Sequence, residues 1–561
     1  MTINRKNIYI LFQIIVIIVG LLIGNVISYL NISMYMTLLL IVLLYKNNSN
    51  IKSNKITNIF SFIFSLFFTF GNLTIKNNIP IFIYYIVSIF SYYYLIKNIL
   101  LLIYDKTKDI NITDNKKKEV SKKKFITLIT IIGFILYIPY LLEYFPGITS
   151  FDTYTQLNQI LGNMPYSNHH PIIHTSIIGL FYNIGYTIFK SRNIGILFFT
   201  IFQMSFVSFT FANTLYILYK NNIKNIYLII LFIFYYLVPY NALYSITAYK
   251  DVLFSCIVML FILFLYDNKD NKLTTIKKLE LTILTILVCL LRTNGIIAVV
   301  FLFIIFLIKK YKEFIICIGS GLIISFIFNI LIINIFNVEK VESVESFSIP
   351  IQNISYVIKN NGNISKDELN KLNKYINPET IKEVYDVDYV DPVKNSMDNK
   401  YLNDNKIEFI KLWGSIGIKN INMYIRSYVY QTSGYWYHNY GVNTFPTFDN
   451  YDDLGIVHKS YNISIANKIL NILMYLNRAV QHCLWSNALS IYMVIYSLYY
   501  TFRKNKYKLY IYPIIFIWLT LLIATPVGYE FRYQYSVFIS FPFILTTLFI
   551  KRSEVVWKIR K

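Results

Sequence analysis

"KKKFITLITIIGFILYIPYLLEYFPGITSFDTYTQ", Lys122 to Gln156, runs from three lysines through an apolar stretch into a loop with one central carboxylate, Asp152. The apolar part, 125–144, has the length a helix needs to cross a ~30 Å hydrocarbon core. Lysines gather on the cytoplasmic side of such spans. The linker before it, "YDKTKDINITDNKKKEVSKKK" (104–124), carries eight lysines. The stretch therefore predicts a span that rises from the cytoplasm and delivers Asp152 to the outer face.

The same signature recurs along the chain. Of 561 residues, 56% are hydrophobic and only 15% charged, whereas a soluble domain is about one-quarter charged. Apolar runs predict further spans at 8–30, 33–45, 58–76, 79–103, 194–218, 226–243, 250–266, 276–291, 295–308, 314–336, 484–502, 509–527 and 533–550. The first is too long for a signal-peptide core and reads as a retained span. The expected fold class is an all-α polytopic membrane protein with about 14 transmembrane helices.

Basic connections at 46–55, 220–224, 267–272, 309–312 and 503–508, and the tail from Lys551, should share the cytoplasmic side with the linker. That holds only if the apolar run 171–189 lies on the outer surface without crossing. Both termini are then cytoplasmic. Lys190 and Arg192 fall near the outer interface, where long cationic side chains snorkel. The expected organisation is a four-span accessory region (1–103), a cytoplasmic linker (104–124), a membrane core (125–336) with outer loop 145–193, an extracytoplasmic domain (337–483), and three last spans with a basic tail (484–561).

The outer domain holds 16 of the 29 acidic residues but only 15 of the 53 basic ones. It reads as mainly helical, with "NISKDELNKLNKYI" (363–376) as an amphipathic helix capped by Ser365 and Glu368. Its later part, "SGYWYHNYG" (433–441), is aromatic. The net charge of +24 follows from lysines on the cytoplasmic side, so no nucleic-acid partner is expected. Cys256, Cys289, Cys317 and Cys483 lack CxxC spacing and read as small hydrophobes.

Outer connections are poor in cations by rule, so the exceptions are candidates. They are Lys250 beside Asp251, Arg292 near Asn294 in "LRTNG", and Arg532 between Glu530 and Tyr533 in "PVGYEFRYQY". The first outer loop adds Asp152, with Gln156 and Gln159 on the same helical face. "MPYSNHHPIIHT" (164–175) follows, with three of the six histidines. Ionisable groups at membrane depth mark functional sites. One carboxylate among several cations suits transfer from a lipid phosphate, the carboxylate taking a proton and the cations holding the departing phosphate. Alternatives remain for each: Asp152 as a helix N-cap, His169 and His170 as caps of the helix at Pro171, and the cations as interface snorkellers or salt bridges. His174 lies one turn on, but no carboxylate beyond Asp152 would complete a metal trio.

"FPGITSFDTYTQ" followed by "NHHP" resembles the first outer loop of the GT-C glycosyltransferases, which include protein mannosyltransferases and lipid A aminoarabinose transferases. "HHPIIHT", "YKDVLFS", "LRTNG", "SIPIQNISYVI", "DPVK" and "EFRYQY" further resemble an uncharacterised family of large prokaryotic membrane proteins related to them, over roughly Lys124 to Ile550. The resemblance implies Asp152 as general base and His170-Pro171 as the motif on a non-crossing helix. It brings Gln352 and Asp391 forward by likeness alone. The sequence departs from the mannosyltransferase pattern in Thr153, where an Asp-Glu pair is usual, and in the Ile172-Ile173-His174 that follows Pro171.

The reading is an inverting membrane glycosyltransferase using a polyprenyl-phosphate sugar donor and a surface glycan, glycolipid or protein acceptor. Asp152 is the expected base. His169, His170, Gln156, Lys250, Asp251 and Asn294 are expected near donor or acceptor, and Arg292, Arg532 and Lys250 at phosphate. No cofactor or metal is expected. The alternatives are a flippase for a lipid-linked saccharide, disfavoured because no paired broken spans are visible, and a polysaccharide polymerase.

Overall fold

The computed structural model describes residues 5–23, 39–46, 51–72, 81–114, 117, 119–268, 272–339, 342–437, 449–461, 468, 471–472, 475 and 486–550. Cys483, residues 438–441 of the aromatic stretch and the tail from Lys551 lie outside them. Of the described residues, 78% are helical and none forms a strand. Among the described residues five helices are long and apolar enough to cross a membrane: Phe82–Thr107, Lys122–Glu143, Ile172–Phe189, Arg192–Lys220 and Lys312–Ile335. A sixth counts if Asn225–Leu237 and Pro239–Ser245, bent by 49°, form one span. The bend falls at Pro239, which lacks the N–H that an unbroken helix needs there.

In chain order, α1 (Arg5–Ile23), α2 (Lys55–Gly71) and α3 (Ile81–Thr107) pack together. Next come α4 (Lys122–Glu143), the short α5 (Phe151–Leu161), α6 (Ile172–Phe189) and α7 (Arg192–Lys220). The broken pair α8 (Asn225–Leu237) and α9 (Pro239–Ser245) leads to α10 (Lys250–Asp267), α11 (Thr275–Leu291), α12 (Thr293–Lys309) and α13 (Lys312–Ile335).

The basic connections form a ring at one end of this bundle. Arg503 donates to the Lys52 carbonyl (2.9 Å) and Lys504 to that of Lys108 (2.7 Å). Thr113 bridges Ile223, and Lys220 pairs with Asp267 at 2.8 Å. Glu313 accepts the Leu273 N–H, and Lys309 sits 4.2 Å from the Tyr507 ring. Each basic loop thus touches the next.

Beyond α13 a second hydrophobic core spans Val344 to Tyr424, separate from the bundle core. Its central helix is α14 (Ser348–Lys359). The Ser365–Glu368 capping box is present, Glu368 accepting the Ser365 N–H at 2.9 Å. That helix is Lys366–Leu372, shorter than the pattern predicts. Tyr435, Trp436 and Tyr437 instead join the bundle core. Gly434 packs on Gly528 so closely that a Cβ there would lie 2.0 Å from the Gly528 carbonyl oxygen.

Candidate functional site

The outer loop after α4 is seated by backbone pairing. Ile148 N–H donates to the Ile246 carbonyl (2.8 Å), and Ala248 N–H to that of Ile148 (2.9 Å). The receiving segment is fixed by buried Gln203 of α7, whose amide donates to the carbonyls of Ser245 (2.9 Å) and Thr247 (2.6 Å). This pairing brings the first turn of α5 beside the first turn of α10. Ser150, not Asp152, is the N-cap of α5, which leaves the Asp152 carboxylate free for other partners.

Those partners are the cations singled out from sequence. Arg532 Nη1 donates to Asp152 Oδ2 at 2.8 Å, and Lys250 Nζ lies 3.8 Å from the same oxygen. The three side chains are 12–18% exposed. Burial works to raise the Asp152 carboxyl, but Arg532, then Lys250, override it and hold it well below the usual carboxylate range. The Arg532 guanidinium sits 4.8 Å from the rings of both Tyr249 and Tyr533. Glu530 Oε2 lies 3.6 Å from its Nε.

Lys250 also reaches the His169 carbonyl (3.3 Å) and His170 Nδ1 (3.2 Å). An ammonium only donates, so Nδ1 accepts and the His170 ring is neutral. Burial, then Lys250, pushes His170 down to about 2. Lys250 and its neighbour Asp251 point to different partners: Asp251, 1% exposed, pairs with Arg292 at 2.5 Å. Arg292 in turn lies 4.8 Å from the Tyr533 ring, so Tyr533 stands between the two arginines. Asp152, Lys250, Arg532, His169, His170, Asp251 and Arg292 therefore form one cluster, at the bundle end opposite the basic ring.

Four candidates have partners outside this cluster instead. Gln156 is buried and donates to His174 Nδ1 (3.0 Å) and Thr175 (2.9 Å), tying α5 to α6. Asn294 donates to Thr525 (3.0 Å). In the outer domain Gln352 holds the 386–387 backbone, and Asp391 pairs with Lys394 at 3.0 Å. Among the described residues no three His, Cys, Asp or Glu side chains are placed to hold a metal ion.

Sequence reasoning missed Gln203, whose only signal is an amide inside an apolar run. It also missed the segment 449–461, which lies along the outer loop. There Tyr154 donates to Asp453 (3.1 Å) and packs on Tyr451 (4.8 Å), and Lys459 bridges Phe145.

Residues 163–558 match the profile of a family of unknown function, DUF6020. The match takes in His169, His170, Lys250, Asp251, Arg292, Asn294 and Arg532, and begins just after the helix that bears Asp152. No curated protein and no solved structure matches the chain. With well over half its length covered, the chain belongs to the DUF6020 family.

Proposed function

We propose that this chain is an integral-membrane glycosyltransferase of the GT-C kind, with about 14 spans, both termini cytoplasmic and the Asp152 cluster on the outer side of the plasma membrane. It transfers a sugar, with inversion, from a polyprenyl-phosphate-linked donor to an outer-surface acceptor: a cell-wall polymer, glycolipid or protein. The observation that carries this reading is the Asp152 carboxylate paired with Arg532 at 2.8 Å and facing Lys250 at 3.8 Å.

A carboxylate so stabilised is a weak base. A lipid phosphate supplies the remedy. Its oxygens compete for Arg532 and Lys250, and as these cations turn to the phosphate, the proton affinity of Asp152 rises. Asp152 then takes the acceptor hydroxyl proton while that oxygen bonds to the anomeric carbon. The bond from this carbon to the phosphate oxygen breaks, and polyprenyl phosphate leaves with the electron pair, stabilised by the two cations. A cleft lined by Asn168, Pro171, Ile172, Leu290, Ile296 and Ile332 adjoins His169 and His170. It borders α13, whose exposed Phe326, Ile327 and Leu331 suit a lipid surface.

The test is surface and lipid-linked glycan analysis in a deletion strain complemented by wild type or by Asp152→Asn. Asp152→Asn should lower transfer by roughly 10²–10⁴-fold at unchanged expression, the range for losing a general base. Normal glycan in that strain would sink the assignment.

A further inference from the structure

The outer domain carries a second group of oxygen ligands, outside the Asp152 cluster. Gln352 of α14 is fully buried, and its amide nitrogen donates to the carbonyls of Asp386 (2.7 Å) and Val387 (3.1 Å). These bonds seat the head of Gln352 on the loop Tyr385–Asp388. Its Oε1 is buried and has no protein partner. On the same loop Asp386 Oδ1 accepts the Asp388 N–H (2.8 Å), which draws the two acidic residues together. Asp388 Oδ1 is also buried without a protein partner. Among the described residues neither carboxylate forms an ion pair, whereas nearby Asp391 is neutralised by Lys394 at 3.0 Å. Buried acceptor atoms left without a partner are costly.

We propose that Asp386, Asp388 and Gln352 Oε1 form a binding site for a hard divalent cation, Ca²⁺ in the first place. The donors are all oxygen, which disfavours thiolate- and imidazole-seeking metals. An Asp-x-Asp loop joined by a neutral amide oxygen matches the mixed carboxylate and carbonyl shell of Ca²⁺ better than the water-retaining octahedron of Mg²⁺. The loop continues into Tyr389, whose hydroxyl interacts electrostatically with Tyr529 and Tyr533. A cation here therefore fixes the part of the outer domain that faces the Arg532 side of the cluster.

The experiment uses the purified full chain in detergent and Tb³⁺ as probe, with Tyr385 close to both carboxylates as sensitiser. Saturable Tb³⁺ emission displaced by Ca²⁺ is expected. Asp386→Asn and Asp388→Asn, which keep shape and lose charge, should each weaken Ca²⁺ by roughly tenfold or more. Asp391→Asn should leave the affinity unchanged. Emission that Ca²⁺ does not displace would overturn the proposal, as would an Asp386→Asn/Asp388→Asn double variant that binds like wild type, or an equal loss in Asp391→Asn.

Discussion

Asp251 and Arg292 are 1% and 7% exposed and face each other at 2.5 Å, so each is the other's counter-charge in a nearly dry place. Removing one partner of such a pair costs about 3–5 kcal/mol, because a bare charge stays buried. Arg292→Ala should therefore lower the thermal midpoint of the detergent-solubilised protein sharply, and Asp251→Ala/Arg292→Ala should recover most of the loss. If the double variant is no better than the single one, the pair is not a neutralising unit. His170 gives a prediction in pH. Its folded pKa, about 2, lies far below the 6.5 of an unconstrained histidine. The unfolded chain thus binds a proton that the folded chain refuses as the pH falls through 6.5, and stability drops with it. Asp152, also depressed, adds its loss only at lower pH, below the ordinary carboxylate range. The thermal midpoint of wild type should fall between pH 7 and 5, and His170→Gln should flatten that fall. An identical slope in both proteins would assign the loss to other groups.

At the scale of elements, the junction of α6 and α7 decides where His170 stands. A Cβ on Gly185 would lie 2.2 Å from the Gly195 backbone nitrogen, so the two helices touch backbone to backbone beside their turn. Gly185→Val forces that contact open and cannot be absorbed by a side chain, because the obstacle is backbone. It should lower both thermal stability and transfer, while Gly414→Ala, at a position with open space around it, should change neither. Equal effects of the two would mean that α6 is not held at this crossing. Much of this level was legible beforehand. The apolar runs marked helices because a long hydrophobic stretch has few other outcomes in lipid, and Ser365–Glu368 announced its capping box. The break at Pro239 inside the run 226–243 was readable in principle from the proline itself. The grip of Gln203 on the 244–247 carbonyls was not, since the partners lie more than 40 residues away and no periodicity links them. The packing of 449–461 on the outer loop escaped for the same reason. In the site, the charge rule put Asp152, Lys250 and Arg532 on one face, but which cation took which carboxylate depended on packing. Lys250 and Asp251 turn opposite ways around α10, and the sequence could foresee the divergence but not the partners.

Across the whole molecule the open matter is whether α6 crosses the bilayer, since it is apolar and long enough to do so. Its packing argues that it does not. Lys220, at the basic-ring end of α7, pairs with Asp267, at the same end of α10. Seventeen residues along α10 from Asp267 stands Lys250, and at the matching height on α7 Gln203 holds the Thr247 carbonyl. The stretch from Gln203 back to Arg192 therefore projects roughly 16 Å beyond the level of Lys250, at 1.5 Å per residue. This projecting half is what α6 packs against: His174 meets Phe199, Phe181 meets Phe199 and Phe202, and Gly185 meets Gly195. In the proposed topology its exposed Leu180, Ile188 and Phe189 face the outer interface, a place that suits an apolar helix lying at the membrane surface. Single cysteines in a background lacking the native four test this with an impermeant maleimide on intact cells. Asn163→Cys, in the connection between α5 and α6, and Phe189→Cys, at the last residue of α6, both exposed, should label together from outside. Lys312→Cys, next to the basic ring, should label only after permeabilisation. If Phe189→Cys instead labels only after permeabilisation while Asn163→Cys labels from outside, α6 crosses and every later span inverts; Lys312→Cys would then label from outside, and Lys250 and Arg532 would stand on the face opposite Asp152, against their direct contact with it in the folded chain.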